Sequence, residues 1–228
     1  MFSRNREAYV SSQTLSEKTS QWLRELGPLR REPSVLLDCS RPMLVMIDLQ
    51  RLFLDPASPA FLPAWPAVSA RCGELLQRFR QRQYPVIWTR HLVPENDTES
   101  DIQLLGGRPL RPSDPLSAFA AGWMPNRGEL VVEKSRYSAW SVPEFASRAR
   151  SVSCIVLAGV TTERCILATA IEAAANGVMS MTVADGCASV SESLHCNSLR
   201  AIVAGDFGQV ASVDEVLRRL PLVQEAAP

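Results

Sequence analysis

Histidine is scarce in this sequence: His91 and His195 are the only two among 228 residues. A metal centre built from several imidazole ligands is therefore excluded, and a cysteine–histidine pair has at most two candidate bases. Cysteine is more common, but none of the six cysteines forms a C-x-x-C pair. We therefore expect reduced thiols in a cytoplasmic protein rather than a disulfide framework.

The sequence also lacks an excess of either charge and any long apolar run. Its 24 Lys and Arg residues balance 24 Asp and Glu residues, so no basic surplus is left to bind a phosphate backbone. No apolar run reaches the roughly 18 residues that a membrane span needs, and residues 1–20 lack the apolar core of a signal peptide. We therefore expect neither a nucleic-acid nor a membrane partner.

What the chain does have is enough apolar sequence for one large domain, in short runs that alternate with amphipathic segments. Strands are predicted at 43–47, 84–89, 130–133, 154–158, 178–184 and 209–213. Helices are predicted at 68–83, 142–150, 162–176, 191–204 and 214–220. This alternation predicts an α/β fold: a three-layer α/β/α, doubly wound (Rossmann-like) architecture with a mainly parallel six-stranded sheet.

The first 40 residues differ from the rest because they are polar and charged. A short helix is predicted at 16–26, with Trp22, Leu23 and Leu26 on one face and a Gly-Pro stop after it. We interpret 1–40 as an N-terminal arm that packs on the domain or on a neighbouring subunit, with a loosely ordered extension as the alternative. The domain itself is assigned to 41–228, and its long loops at 55–66 and 92–128 are expected to form pocket walls.

The segment 153–177 combines a buried strand, a turn and a helix. Cys165 is predicted in the first turn of that helix, where the helix dipole and free backbone N–H groups lower the pKa of a thiol. The arrangement is typical of a catalytic nucleophile, and a buried structural cysteine is the alternative.

Two further polar residues follow predicted strands, Asp48 after the first and Lys134 after the third. The carboxyl ends of parallel strands meet at one edge of the sheet, so we expect both near Cys165. Asp48 is suited to accept the thiol proton, and Lys134 to stabilise the thiolate and keep Asp48 ionised. The backbone N–H groups of Thr161 and Cys165 are candidate oxyanion donors. Taken singly, Asp48 is equally suited to cap a helix, and Lys134 to lie on the surface.

Four segments of the chain resemble the isochorismatase-like cysteine hydrolase superfamily, and they occur in that family's order. They are VMIDLQRLF (45–53), VVEKSRYSAW (131–140), LAGVTTERCILATAIEAAANG (157–177) and, more weakly, VADGCAS (183–189). The resemblance implies a catalytic triad of Asp48, Lys134 and Cys165 and a cis peptide bond at Val160–Thr161. It also implies a small-molecule substrate and a homo-oligomer, dimer or tetramer.

The segment 88–97 resembles nicotinamidases, which carry metal-binding Asp and His residues where this chain has His91 and Val93. We therefore expect no metal and no cofactor. The leading hypothesis is a metal-independent cysteine hydrolase that cleaves a small amide or ureido C–N bond through an acyl-Cys165 intermediate. One alternative is an isochorismatase-type vinyl-ether hydrolase with Asp48 as proton donor. Another is a non-catalytic homologue that serves in binding or assembly.

Several residues near the matched segments are candidates for substrate binding. Arg136 is suited to hold a carboxylate through two parallel hydrogen bonds, and a surface or subunit salt bridge is the alternative. Tyr137, Phe53 and Trp140 are candidates for an aromatic pocket wall, although such residues also belong to cores and interfaces. Gln50, just after Asp48, completes the predicted set.

Overall fold

The computed structural model describes residues 6–30, 40–97 and 109–220. Its strands are β1 (Pro42–Ile47), β2 (Val86–His91), β3 (Leu130–Lys134), β4 (Cys154–Val160), β5 (Met179–Ala188) and β6 (Gln209–Ala211). They form one six-stranded parallel sheet in the order β3-β2-β1-β4-β5-β6. This is the strand order of a doubly wound fold, and the α/β prediction is confirmed.

Helices cover both faces of the sheet. They are α1 (Leu15–Leu26), α2 (Arg51–Leu54), α3 (Trp65–Gln81), α4 (Pro143–Arg150), α5 (Leu167–Ala175), α6 (Glu192–Ala204) and α7 (Val213–Arg219). From β1 to β2 the chain proceeds toward one edge of the sheet, and from β4 to β5 it proceeds toward the other edge. Because such crossovers are right-handed, α3 lies on one face and α5 and α6 on the other. Consistently, α3 contacts α7, whereas α5 contacts α6.

The core is built on the two central strands, β1 and β4, in which every residue is buried. Both strands are nearly continuous apolar runs, PMLVMI and CIVLAGV, as expected for strands covered on both faces. Among the described residues, no helix is long and apolar enough to cross a membrane.

The N-terminal helix α1 packs on the domain of its own chain. Trp22 is buried, and its indole N–H donates to Glu192 at the start of α6 over 3.0 Å. Lys18 forms an ion pair with the same carboxylate at 2.9 Å. The described part of the arm therefore packs on the domain of its own chain, and a contact with a neighbouring subunit stays a prediction.

Four strands extend further at their carboxyl ends than the sequence predicts. β2 includes Arg90 and His91, β3 includes Lys134, β4 continues to Val160, and β5 continues to Ala188. The polar residues there read as loop by periodicity, but they pair with their neighbours, and His91 is in register with Lys134. The consequence is that both side chains are fixed by the sheet rather than by a loop.

The cysteines differ in their oxidation state. Cys72, Cys165, Cys187 and Cys196 are free thiols, whereas Cys154 is disulfide-bonded. The prediction of reduced thiols throughout is therefore wrong at Cys154. Cysteine spacing carries no information on a bond between residues that only the fold brings together.

Gly159 lies where β4 passes closest to β1. Its φ is +122°, and a Cβ placed on it would lie 2.2 Å from the carbonyl oxygen of Ile47. Ile47 directly precedes Asp48, and Gly159 precedes the turn that leads to Cys165. A side chain at this position would therefore separate the two strand ends that carry the candidate site.

We expect Gly159→Ala to lower the free energy of unfolding by roughly 2–5 kcal/mol, because a backbone clash adds to the cost of a positive φ. Urea unfolding measures this. Gly177→Ala is the matched control, since Gly177 also has a positive φ, +70°, but its added Cβ would have no neighbour within 4 Å. Equal losses in the two variants would show that the close approach to Ile47 is unimportant.

Candidate active site

The candidate site lies where the strand order reverses, between β1 and β4. In open α/β sheets, ligands bind at this switch point, outside the carboxyl ends of the strands. Asp48 directly follows β1, and Lys134 is the last residue of β3. Cys165 lies in a π-helical turn, Thr162–Ile166, that follows β4 and leads into α5. Three strand ends therefore converge on one place.

The three side chains are in contact. The Lys134 ammonium donates to Asp48 Oδ2 over 2.7 Å and lies 3.4 Å from Cys165 Sγ. Thr89, on β2, donates its hydroxyl to Asp48 Oδ1 over 2.6 Å. Asp48 and Lys134 are fully shielded from solvent, and Cys165 is 4 % exposed. The structure thus brings Asp48, Lys134 and Cys165 together as predicted, with Thr89 as a partner that the sequence analysis missed.

The backbone of Asp48 holds its carboxylate in this position. Its φ is +53°, a left-handed conformation that aspartate tolerates better than most residues. The Asp48 N–H donates to the Thr89 carbonyl at 3.2 Å, and the Asp48 carbonyl accepts from Gln50 at 2.7 Å. The turn after β1 is therefore tied to β2, and the carboxylate is fixed between Thr89 and Lys134.

The Asp48–Lys134 pair is charged at rest. Burial alone would raise the pKa of Asp48, but the charge of Lys134, the ring of His91 and hydrogen bonds with Cys165 and Lys134 together outweigh it, and the pKa is lowered. Burial alone would lower the pKa of Lys134, but Asp48 and Cys165 outweigh it and the pKa is raised. At neutral pH the site therefore holds a carboxylate and an ammonium.

The thiol of Cys165 behaves differently from the expectation. Burial raises its pKa well above the ordinary value, Asp48 raises it further, and Lys134 only partly opposes them. The expectation of a thiolate favoured by the helix dipole is therefore wrong for the resting site, because burial beside a carboxylate outweighs a helix end. The resting site consists of a thiol, a carboxylate and an ammonium.

The turn before Cys165 has the backbone feature that the resemblance implies. The peptide bond between Val160 and Thr161 is cis. The Thr161 hydroxyl is buried and has no hydrogen-bond partner among the described residues. The assignment of the Thr161 and Cys165 N–H groups as oxyanion donors stays a prediction.

His195 lies against the turn that carries Cys165. Its Nδ1 is 2.9 Å from the Thr162 hydroxyl, and its ring packs on Trp22 with centroids 4.6 Å apart. The imidazole of His195 thus lies between the N-terminal helix and the turn that carries Cys165. This contact is not predictable from the sequence, because His195 is distant in the chain and nothing in its local pattern marks it.

His91 lies on the opposite wall, at the end of β2. Its ring is fully buried, and burial together with the charge of Lys134 lowers its pKa to about 4. Burial likewise lowers the pKa of His195 to about 4. Both imidazoles are therefore neutral at neutral pH.

These two pKa values predict a loss of stability in acid. Between pH 6.5 and 4 the unfolded chain binds protons at both histidines and the folded chain does not, so stability falls as pH falls. From pH 7 to pH 5 the two histidines together lower the free energy of unfolding by roughly 3–4 kcal/mol. Burial raises the pKa of Asp185, and this residue therefore makes a stability contribution of the opposite sign. Urea unfolding at several pH values measures the slope, and His91→Phe should reduce it by about half. A flat profile from pH 7 to 5 would show that neither imidazole is held neutral.

The predicted substrate-binding residues fall into two groups. Gln50 is fully buried: it accepts from the His91 N–H and donates to the His91 and Ser117 carbonyls. Phe53 is buried, and Trp140 packs edge-to-face on Phe145. The structure thus gives Gln50, Phe53 and Trp140 internal contacts, and the Gln50 amide uses its oxygen and both N–H groups in them. Substrate binding by these three residues stays a prediction.

The other two candidates face outward. The Arg136 side chain is 54 % exposed, and its nearest carboxylate oxygen, on Asp97, is 3.9 Å away. Tyr137 is half-buried, and its ring stacks on His91 with centroids 6.5 Å apart. Both lie within three residues of Lys134, and their role in substrate contact stays a prediction.

The residues that could ligate a metal do not come together in the described part of the chain. The two histidines do not converge, since His91 stacks on Tyr137 and His195 bonds to Thr162. Across 6–30, 40–97 and 109–220, no three His, Cys, Asp or Glu side chains are grouped as metal ligands. The described residues therefore do not fit a metal centre.

Comparison with known proteins shows clear similarity. Residues 42–215 match the family model described as the isochorismatase domain. A maleamate amidohydrolase of Pseudomonas putida is 28 % identical over 149 residues, covering 63 % of this chain and 70 % of the relative. An N-carbamoylsarcosine amidase of Arthrobacter sp. is 24 % identical over 207 residues, covering 83 % and 76 %. The crystal structure of a cysteine hydrolase from Pseudomonas syringae pv. phaseolicola superposes with a TM-score of 0.71 at 24 % identity, covering 84 % of this chain and 96 % of that one, which shows a shared fold.

Proposed function

We propose, given that this chain belongs to the isochorismatase family of hydrolases, that it cleaves the C–N bond of a small amide or ureido compound with Cys165 as nucleophile. The observation that carries the proposal is the contact of the Lys134 ammonium with both Asp48 and Cys165. A thiol beside a buried carboxylate has a base to receive its proton and a cation to stabilise the resulting charge.

The first half of the reaction forms an acyl enzyme. Asp48 accepts the proton of the Cys165 thiol as Sγ attacks the carbonyl carbon of the substrate. The carbonyl oxygen becomes an oxyanion, for which the N–H groups of Thr161 and Cys165 are the proposed donors. The C–N bond then breaks, the departing nitrogen takes the proton from Asp48, and a thioester on Cys165 remains.

The second half regenerates the enzyme. Asp48, again a carboxylate, accepts a proton from water, and the resulting hydroxide attacks the thioester. The C–S bond breaks and the proton returns to the thiol, so the acid product leaves with the site unchanged. Lys134 stays protonated throughout and compensates the negative charge that moves between Asp48 and Cys165.

The high resting pKa of Cys165 is compatible with this sequence of steps. The thiol loses its proton to Asp48 only as the new C–S bond forms, so no stable thiolate is required. Among the relatives, the names maleamate amidohydrolase and N-carbamoylsarcosine amidase indicate C–N cleavage. Both named substrates are carboxylates, and the exposed Arg136 beside the site is suited to bind such a group.

The proposal is tested by screening small amides and ureides for ammonia release, followed by intact-protein mass spectrometry. A substrate that is turned over should leave a transient acyl adduct on Cys165 when the reaction is quenched in acid. Two results together would reject the covalent intermediate. They are turnover at saturating substrate with no trapped adduct, and activity of the Cys165→Ala variant.

A further inference from the structure

The proposed mechanism uses no residue of the N-terminal arm. Residues 42–215 match the family model, so the described arm residues 6–30 lie outside the matched domain. They nevertheless contact the loop between β5 and α6. The Glu7 N–H donates to the Val190 carbonyl over 2.9 Å, and the Glu192 N–H donates to the Glu7 carboxylate over 3.1 Å. The arm is therefore attached to this loop in both directions.

A chain of hydrogen bonds leads from the arm through this loop to the turn that carries Cys165. The Ser189 N–H donates to the Tyr9 hydroxyl oxygen over 3.1 Å, and the Ser189 hydroxyl donates to Glu163 Oε2 over 2.7 Å. Glu163 lies two residues before Cys165, in the same π-helical turn. Its other oxygen, Oε1, is buried and has no hydrogen-bond partner within the part of the chain that the structure describes. The bond from Ser189 therefore holds the Glu163 side chain.

Tyr9 is suited to this position because its phenol is neutral. Burial raises the pKa of Tyr9 well above its ordinary value, so the hydroxyl keeps its proton at neutral pH. It therefore accepts the N–H of Ser189 without placing a second negative charge near Glu163. Ser189 is fully buried, and a buried N–H that lost this acceptor would be costly. The Tyr9 hydroxyl thus satisfies the donor at the centre of the chain.

The ring of Tyr9 contacts the same turn by a second route. It packs on the imidazole of His195 with centroids 5.9 Å apart, and Trp22 of α1 packs on that imidazole at 4.6 Å. The imidazole in turn lies 2.9 Å from the Thr162 hydroxyl. Two consecutive residues of the turn, Thr162 and Glu163, are thus connected to the arm.

We propose that Tyr9 is a positioning residue for the reaction: its hydroxyl, acting through Ser189 and Glu163, holds the turn that carries Cys165. The inference rests on the proposed function, in which Cys165 Sγ attacks a carbonyl carbon. Such an attack depends on the alignment of the reacting atoms, and a displacement of about 1 Å lowers a rate on the order of 100-fold. The N-terminal arm is thereby part of the support of the active site, although it lies outside the matched domain.

Tyr9→Phe tests the role of the hydroxyl, because it keeps a ring against Trp22 and His195. We expect kcat to fall about tenfold and KM to change less than about twofold, since the turn is altered and the substrate contacts are not. The matched control is Arg30→Met. It breaks a different contact of the arm, the ion pair of Arg30 with Glu215 on α7 at 2.9 Å, and should leave kcat unchanged.

Further variants test whether the three residues act as one chain. Ser189→Ala removes the hydroxyl that donates to Glu163, and the double variant with Tyr9→Phe should lose no more activity than the larger single loss. Glu163→Gln keeps an oxygen that accepts from Ser189, so it should retain most of the activity that Glu163→Ala loses. A double variant whose loss is the product of the two single losses would show that Tyr9 and Ser189 act independently.

Hydrogen exchange tests the same connection without a substrate. Peptides that cover 162–166 should exchange about threefold faster or more in Tyr9→Phe than in wild type, whereas peptides from β1 should be unchanged. Urea unfolding reports the global stability of each variant. Unchanged exchange of the turn, unchanged kcat in Tyr9→Phe, or equal effects in Arg30→Met would overturn the role of Tyr9.

Failure of this inference is distinguishable from failure of the proposed function. Hydrogen exchange needs no turnover, so it reports the contact between arm and turn whether or not Cys165 is the nucleophile. Turnover that survives Cys165→Ala would reject the proposed mechanism. Turnover that is lost in Cys165→Ala but unchanged in Tyr9→Phe would reject only the role of Tyr9.

Discussion

The Cys165→Ala variant is expected to lose hydrolysis of every amide or ureido substrate, a fall in kcat on the order of 10⁴-fold or more. Without Sγ no thioester forms, and water would have to attack the substrate carbonyl directly in a site arranged for a thiol. Lys134 and Asp48 keep their own contact at 2.7 Å, so the fold should be preserved. Ammonia release under saturating substrate measures the loss.

The control is Cys196→Ala, which removes a different free thiol, on α6, and should leave turnover unchanged.

The same pair of variants separates the proposed function from the two alternative functions. Vinyl-ether hydrolysis with Asp48 as proton donor would survive Cys165→Ala, and pyruvate release from isochorismate measures it. A non-catalytic homologue would show no turnover in wild type and no acyl adduct with any compound. Full amide hydrolysis by Cys165→Ala would falsify the proposed mechanism.

The second large effect is expected from Asp48→Asn, which should abolish turnover and also destabilise the protein. Asparagine has no negative charge, so the fully buried Lys134 loses its counter-ion, and such a loss typically costs about 3–5 kcal/mol. The thiol also loses the base that accepts its proton. Urea unfolding measures the stability, and ammonia release measures the activity.

The matched control is Asp55→Asn, which breaks an ion pair with Arg51 on the surface and should change stability little. The double variant Asp48→Asn with Lys134→Met removes both buried charges together. It should recover much of the lost stability and none of the activity. A double variant as unstable as Asp48→Asn alone would show that the unpaired Lys134 charge is not the cause.

The triad positions were predictable because the sheet obeys a general rule. Asp48 and the turn that carries Cys165 follow the central strands β1 and β4, and Lys134 ends the outer strand β3. All three strands are parallel, so their carboxyl ends lie on one side of the sheet. Their convergence therefore needs only the strand assignments and the doubly wound order. The cis peptide bond at Val160–Thr161 was predicted only from the resemblance to the family, because no local sequence pattern indicates it.

Partners contributed by other elements were not predictable. Thr89 bonds to Asp48 because β2 is the neighbour of β1, and His195 reaches Thr162 because α6 packs behind the turn. Gln50 was assigned to the substrate because it follows Asp48, but its amide connects His91 to Ser117. Each contact joins residues more than thirty positions apart, and sequence periodicity describes only near neighbours.

The sequence by itself determined the α/β class, the order of strands and helices, and which three side chains end at the switch point, since these follow from apolar periodicity and strand direction. Only the tertiary structure decided the protonation of the site. Burial and charge depend on every neighbour in space, and they make Cys165 a thiol and Asp48 and Lys134 an ion pair. The same dependence keeps the buried ring of His91, one of only two histidines, neutral at neutral pH.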